Sequence, residues 1–135
     1  MRELAHVGYV VADMESAVRR FEAEGSVVVI PPTDDPIQRV SCCLLRTNEA
    51  MDIELVSPLV RGESPVDARL KRGGGLDHVC FLVDDLDAEL ASEIESGALV
   101  VCEPTYAVTF DRVIAFVHRR SGLVVELMTK TPGRK

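Results

Sequence analysis

The chain repeats one pattern twice, at a displacement of 72 positions. In the middle of the pattern the displacement increases by one residue, so that Gln38-Arg39-Val40 aligns with Asp111-Arg112-Val113. A duplication of this kind predicts two similar modules in one domain of 135 residues. We place module one at about 4–58, a connector at about 59–75 and module two at about 76–130. The matching segments are Leu4-Ala5-His6-Val7 with Leu76-Asp77-His78-Val79, Gly25 with Gly97, Pro32 with Pro104, and Glu54-Leu55 with Glu126-Leu127.

Each copy predicts the element order βαβββ. In module one, apolar residues recur at helical spacing between Met14 and Glu24, Asp13 precedes them as an N-cap, and Gly25 follows as a C-terminal cap. The fold class is therefore α+β, with two tandem βαβββ modules. The predicted strands are 4–12, 26–30, 39–46 and 51–57, then 76–83, 98–102, 112–118 and 122–129, with a second helix at 86–96.

Segments between the predicted elements are rich in proline or glycine. Residues 31–36 and the segment around Pro104 predict loops, and residues 47–50 predict a hairpin turn. In the connector, Ser64-Pro65 predicts the N-cap and first turn of a short helix through Leu70. Residues 73–75, all glycine, would close that helix.

Composition excludes several classes of partner. A net charge of −7 disfavours nucleic acids and anionic membrane surfaces. The chain has no apolar run near the roughly 20 residues that a membrane-spanning helix needs. Its first residues do not resemble a signal peptide, and its four cysteines form no CxxC pair. We therefore expect a cytoplasmic protein with reduced thiols.

Two histidine–glutamate pairs recur with the duplication. His6 precedes Glu54 by 48 positions, and His78 precedes Glu126 by the same interval. Taken singly, each residue has an ordinary explanation, since a strand histidine is usually a satisfied polar group and a glutamate among apolar residues usually faces solvent. Recurrence of both members at equivalent places favours four ligands around one divalent metal ion.

The duplicated pattern, with one His early and one Glu late in each copy, resembles the vicinal oxygen chelate superfamily, which includes glyoxalase I, methylmalonyl-CoA epimerase, extradiol dioxygenases and bleomycin resistance proteins. The likeness runs from about residue 4 to 129. The segments most similar to the epimerases are residues 53–59, 64–78 and 112–127. The resemblance implies a curved mixed sheet around a metal cleft, with His6, Glu54, His78 and Glu126 as metal ligands.

The resemblance also implies an activity. Two His and two carboxylates suit Co²⁺, Ni²⁺, Mn²⁺ or Fe²⁺, with Zn²⁺ as a further candidate. The implied enzyme is a metal-dependent isomerase or lyase that removes a proton α to a carbonyl, similar to methylmalonyl-CoA epimerase, with Glu126 or Glu54 as catalytic base. We expect a small-molecule substrate such as an acyl-CoA, and a homodimer. The alternatives are a glyoxalase I-type lyase and a non-catalytic antibiotic-binding protein; Glu54 as a fourth ligand disfavours a dioxygenase.

Two features depart from the epimerase pattern. Epimerases place a second catalytic glutamate on the strand equivalent to 39–46, where we align Ser41, or else Val40. The glycine-rich loop before the seventh strand is replaced by residues 105–111.

Two further groups of residues each have two possible interpretations. His118 is either an exposed strand-end residue or a contact for a substrate anion, and the connector cations Arg61, Arg69, Lys71 and Arg72 are either solvated or receive coenzyme A phosphates.

Overall fold

The computed structural model describes residues 2–47 and 51–135, and these residues form eight strands and three helices. The proposed turn at 47–50 lies largely outside them. In chain order the elements are β1 (Glu3–Val10), α1 (Met14–Ala23), β2 (Val27–Asp35), β3 (Val40–Arg46), β4 (Asp52–Pro58), α2 (Asp67–Lys71), β5 (Gly75–Val83), α3 (Leu86–Glu95), β6 (Leu99–Ala107), β7 (Arg112–His118) and β8 (Val124–Thr129).

The α+β class and the order βαβββ in each copy are confirmed. The described strands form a mixed sheet in the order β2-β3-β4-β1-β5-β8-β7-β6. Within each module the outer pairs are antiparallel, whereas β1 runs parallel to β4 and β5 runs parallel to β8. No helix among the described residues is long and apolar enough to cross a bilayer.

Contacts group the chain into two compact units. One unit is His6–Asp77, and the other is His78–Lys135 together with the residues that precede His6. The unit boundaries fall inside β1 and β5 and not in the connector. Arg2 shows how the chain start joins the second unit, because its guanidinium donates to Glu89 Oε2 at 2.8 Å and to Glu93 Oε2 at 2.6 Å. That a single domain spans the chain stays a prediction.

The duplication keeps its displacement of 72 without a slip. β2 ends at Asp35 and β6 at Ala107, and the following strands begin at Val40 and Arg112. Each of these two turns places a non-glycine residue in the left-handed region: Arg39 with φ 60° and Asp111 with φ 53°. The one-residue slip in the sequence alignment is therefore wrong. Conserving the turn conformation, and not the residue type, keeps the two modules in register.

The proline-rich segments are not loops. β2 continues through residues 31–35, and β6 continues through Pro104 to Ala107. Both strands are at the ends of the sheet order, where a residue without an N–H loses no ladder bond on its free side. The pairing of each strand also shifts on both sides of its fourth residue, Ile30 in β2 and Cys102 in β6, at bulges that accommodate the prolines.

The helix starts follow from their caps. Asp13 Oδ1 accepts from Ser16 N, and Asp85 Oδ1 accepts from Ala88 N, both at 3.0 Å. The predicted cap at Ser64 is wrong, because α2 begins only at Asp67 and its cap position is Val66. Ser64 instead donates its backbone N–H to Asp67 Oδ2 at 2.8 Å, which fixes the turn before the helix.

Each module has two apolar faces. On the helix face of module one, α1 packs on β1, β3 and β4 through Tyr9, Val11, Phe21, Leu45 and Leu55. On the helix face of module two, α3 packs through Leu86 and Leu90 on β7 and β8. The opposite face of each module has its own apolar cluster, and we call it the ligand face because it carries the His–Glu pair.

Candidate metal centre

Strand register brings His6 and Glu54 together on the ligand face of module one. β1 and β4 are parallel, with Gly8 opposite Glu54. Because side chains alternate along a strand, His6, Gly8 and Val10 project to the side that Glu54 occupies. His6 Nε2 lies 3.3 Å from Glu54 Oε1, and the two residues are only 2% and 4% exposed.

Module two repeats this arrangement at the equivalent residues. β5 and β8 are parallel with Cys80 opposite Glu126, which corresponds to Gly8 opposite Glu54. His78 Nε2 lies 3.1 Å from Glu126 Oε1, and both residues are buried. The Phe116 ring meets the His78 imidazole edge to face, with centroids 5.1 Å apart, which fixes the plane of the imidazole.

The four side chains form one group. One ligand atom from each of His6, Glu54, His78 and Glu126 lies within 4.8 Å of the others. Two atoms bound at right angles to one first-row ion, each about 2.1 Å from it, are about 3.0 Å apart. The 3.3 and 3.1 Å separations within the pairs fit such a ligand set.

The charges of this group also fit a cation. Burying a carboxylate without a compensating charge is costly, and Glu54 and Glu126 are both buried. Two imidazole nitrogens and two carboxylate oxygens form a neutral complex with a divalent ion and suit first-row metals. The chain thus carries a buried His/Glu cluster that could bind a metal ion.

A family model described as the Glyoxalase/Bleomycin resistance protein/Dioxygenase superfamily matches residues 5–116. The chain belongs to this superfamily. The resemblance inferred from the duplicated His–Glu pattern is confirmed, and the matched range includes three of the four clustered side chains: His6, Glu54 and His78.

Several similar proteins are epimerases. An ethylmalonyl-CoA/methylmalonyl-CoA epimerase from Cereibacter sphaeroides is 32% identical over 130 residues, covering 92% of this chain and 95% of the relative. The crystal structure of methylmalonyl-CoA epimerase from Mycobacterium tuberculosis is 29% identical with a TM-score of 0.81, covering 96% of this chain and 88% of that one. A Streptomyces coelicolor methylmalonyl-CoA epimerase in complex with 2-nitronate-propionyl-CoA is 25% identical with a TM-score of 0.79, covering 93% of this chain and 95% of that one.

Strand register argues against the alignment of Ser41 with the second glutamate of the epimerases. Leu44 of β3 lies opposite Glu54, and Ser41 lies opposite Ser57. Ser41 is three residues from Leu44, so its side chain projects to the helix face and not to Glu54. The residues that β3 presents to the ligand face are Val40, Cys42 and Leu44, none of which is a carboxylate.

Sulfur and aromatic groups line the ligand face of module two. Cys80 is fully buried and packs in one cluster with Met128 and Ile114. Burial raises the pKa of the Cys102 thiol, and the charges of Glu126 and Glu103 raise it further. No sequence motif marks Cys102 as a neighbour of the site. Strand pairing places it there, because Cys102 on β6 lies opposite Phe116, and Phe116 lies opposite Glu126.

The remaining candidates are not among the four clustered side chains. His118 ends β7 and is exposed, as its strand-end position predicted. The segment in place of the glycine-rich loop is mostly the end of β6 and a turn, where Tyr106 donates its hydroxyl to Asp111 Oδ1 at 2.6 Å. The guanidinium of Arg134 stacks on that tyrosine ring, 4.4 Å from its centroid.

Proposed function

We propose that this protein is a divalent-metal-dependent epimerase that acts on a malonyl-type CoA thioester, with methylmalonyl-CoA as the leading substrate. The observation that carries the proposal is the buried group of His6, Glu54, His78 and Glu126. Support comes from the 32% identical ethylmalonyl-CoA/methylmalonyl-CoA epimerase, which this chain matches over 95% of its length. The homodimer and the cytoplasmic location stay predictions.

The four clustered residues would hold the metal, and a bound divalent ion supplies Lewis-acid polarisation of the substrate carbonyl. The α-proton of such a thioester is acidified by the carbonyl, so a carboxylate close to it can act as general base. Glu54 and Glu126 are the carboxylates in the group, one from each module. In the proposed mechanism one of them accepts the α-proton, while the buried surroundings exclude bulk water.

A second candidate is a glyoxalase I-type lyase, and one observation favours it. An epimerase must remove a proton on one side of the planar intermediate and return one on the other. The second glutamate of the epimerases would contribute one of these groups, but β3 presents Val40, Cys42 and Leu44 to the ligand face. A glyoxalase I-type reaction moves the proton along one side of the substrate. It therefore needs no second acid–base residue on the opposite side.

The test is to incubate metal-loaded protein with one epimer of methylmalonyl-CoA in D₂O. We expect deuterium at C2 and formation of the opposite epimer. Glu54→Gln and Glu126→Gln should each lower the rate by at least about 100-fold, as expected for loss of a general base or metal ligand. Glu95→Gln, at the exposed C-terminal end of α3, is the matched control and should leave the rate unchanged.

Other outcomes separate the alternatives. Conversion of a glutathione hemithioacetal, without turnover of the CoA thioester, would replace the epimerase proposal with the lyase. Deuterium incorporation at C2 without the opposite epimer would show that the chain removes the α-proton but lacks the second group. If neither substrate exchanges and neither glutamate variant differs from wild type, the enzymatic proposal is wrong.

A further inference from the structure

The ends of the two ligand faces differ in one charged residue. In module one this end is an apolar cluster whose buried members are at most 5% exposed, and Val66 and Leu70 of the connector pack against it. The buried members are Val10, Val40, Cys42 and Val56. Their equivalents, 72 positions further on, are Leu82, Arg112, Ile114 and Met128. Module two therefore has a cation where module one has a buried valine.

Arg112 projects to the ligand face of module two. Ile114, two residues further along β7, belongs to the apolar cluster of that face, and side chains alternate along a strand. Ala107, which pairs with Arg112 across the β6–β7 turn, belongs to the same cluster. Phe116, two residues beyond Ile114, lies opposite Glu126. Arg112 and Glu126 therefore lie on one face of one module.

Hydrogen bonds use only one nitrogen of the Arg112 guanidinium. Nη1 donates to the carbonyl oxygens of Phe110 and Asp111, both at 3.1 Å. Nε is buried and has no acceptor in the described part of the chain. No carboxylate of residues 2–47 and 51–135 lies within 4.0 Å of this guanidinium. Its Nε edge is therefore available to a planar acceptor with two oxygens.

The turn before Arg112 supplies a second unpaired donor. Thr109 Oγ1 is buried and has no hydrogen-bond partner among the residues that the structure describes. Thr109 lies in the turn that Asp111 N closes on Val108 O at 3.3 Å, and Phe110 of the same turn packs on the apolar cluster of the ligand face. A buried donor without a partner is destabilising, and an anion bound at this turn would satisfy both groups.

The C-terminal segment holds this turn in place. Gly133 N donates to Asp111 O at 2.8 Å, and the Tyr106 hydroxyl donates to Asp111 Oδ1. Arg134 stacks on the Tyr106 ring. Asp111 O thus accepts from both Gly133 and Arg112. The backbone that positions Arg112 is fixed before any ligand binds, which lowers the entropy cost of binding.

We infer that Arg112, with the Thr109 hydroxyl, binds the free carboxylate of a dicarboxylic acyl group whose carbonyl lies at the four clustered ligands. The inference rests on the proposed function for the identity of the thioester. A carboxylate matches the two-point geometry of a guanidinium edge, and a malonyl-type thioester carries one on its α-carbon. Arg112 is then a specificity-determining residue that selects carboxylated acyl groups over uncharged ones. Val40 has the equivalent place in module one, so that module offers no such contact.

The test compares malonyl-CoA with acetyl-CoA, which lacks only the carboxylate, by titration calorimetry, so it needs no catalysis. Wild type should bind malonyl-CoA more tightly. In Arg112→Met, which keeps the apolar stem and removes the guanidinium, the Kd for malonyl-CoA should rise about 10- to 100-fold, as for the loss of charge-assisted hydrogen bonds. The Kd for acetyl-CoA should not change. Thr109→Val, a second variant in case Arg112→Met does not fold, should raise the malonyl-CoA Kd several-fold.

Arg120→Met, an exposed cation beyond the other end of β7, is the control and should bind both thioesters as wild type does. Unchanged malonyl-CoA affinity in Arg112→Met and Thr109→Val would overturn the inference, as would a wild type that binds the two thioesters equally. An equal rise in both Kd values would also overturn it, because the contact would then be with the CoA carrier.

The inference and the proposed function can fail separately. Epimerisation of methylmalonyl-CoA by wild type, with unchanged malonyl-CoA affinity in the variants, rejects only the role of Arg112. A preference for malonyl-CoA that Arg112→Met abolishes, in a protein that epimerises no CoA thioester, rejects only the proposed reaction.

Discussion

The two modules share their backbone register but stabilise their helices by different means. Phe21 on α1 and Glu93 on α3 occupy equivalent positions, 72 residues apart. Phe21 packs within an apolar cluster and meets the Tyr9 ring edge to face, with centroids 6.5 Å apart. Glu93 is 6% exposed and binds Arg119 through two hydrogen bonds of 3.0 and 2.8 Å, while Arg2 donates to it at 2.6 Å.

The ligand faces of the two modules are therefore more alike than their helix faces. An imidazole and a carboxylate recur at both ligand positions, as a single ligand set would require. The helix positions need only favourable packing, which an aromatic ring or a buried ion pair can provide. Divergence on the helix face is therefore compatible with a shared site.

The largest expected difference between the modules is at Glu93. Hydrogen bonds from Arg119 lower the pKa of Glu93, burial opposes this, and Arg2 adds to the lowering. Because the folded pKa is below the ordinary value, the stabilisation is present at neutral pH and is lost as the pH falls through the folded pKa. We expect Glu93→Gln to lower the free energy of unfolding by about 2–3 kcal/mol at pH 7.

Urea unfolding of wild type and Glu93→Gln between pH 3 and 7 checks this, and the two should converge at the acid end. Phe21→Leu is the matched variant in module one. It should cost about 1 kcal/mol through lost packing at every pH in that range. A Glu93→Gln deficit that does not depend on pH would show that the ion pairs do not stabilise module two.

The helix caps should show the smallest difference, because their geometry is the same in both modules. Asp13→Ala and Asp85→Ala each remove one carboxylate that accepts a backbone N–H at 3.0 Å. We expect each to lower the free energy of unfolding by about 1 kcal/mol, and Asp→Asn at the same positions to restore most of it. Thermal unfolding of the four variants measures this, and unequal losses would show that the helices do not contribute alike.

Much of the fold was predictable because the duplication allows each element to be predicted from two separate segments of the sequence. The element order, the starts of α1 and α3, and the clustering of the two His–Glu pairs all follow from matched positions. Predictions from local sequence failed where the position of a segment in the tertiary structure determines its conformation. Prolines 31, 32 and 104 predicted loops, yet they lie in end strands that tolerate them, and a strand's position in the sheet is not a local property.

The site was predictable in its residue types but not in all its neighbours. Ser41 was aligned by similarity along the chain, and only strand pairing shows that it projects away from Glu54 while Cys42 projects toward that face. The adjacent Cys43 lies in the core of the helix face, where burial, with a smaller contribution from Glu22, raises its thiol pKa to about 11. Two adjacent cysteines thus have different surroundings, as the alternation of side chains along a strand predicts.

The central claim is that both modules supply ligands to one metal ion, and metal content tests it most directly. Plasma mass spectrometry should find about one divalent ion per chain in the wild type. His6→Ala/Glu54→Ala and His78→Ala/Glu126→Ala, the matched double variants of the two modules, should both lose it while circular dichroism shows that they remain folded. Retention of a full ion by either variant, or no ion in wild type after reconstitution, would contradict the account.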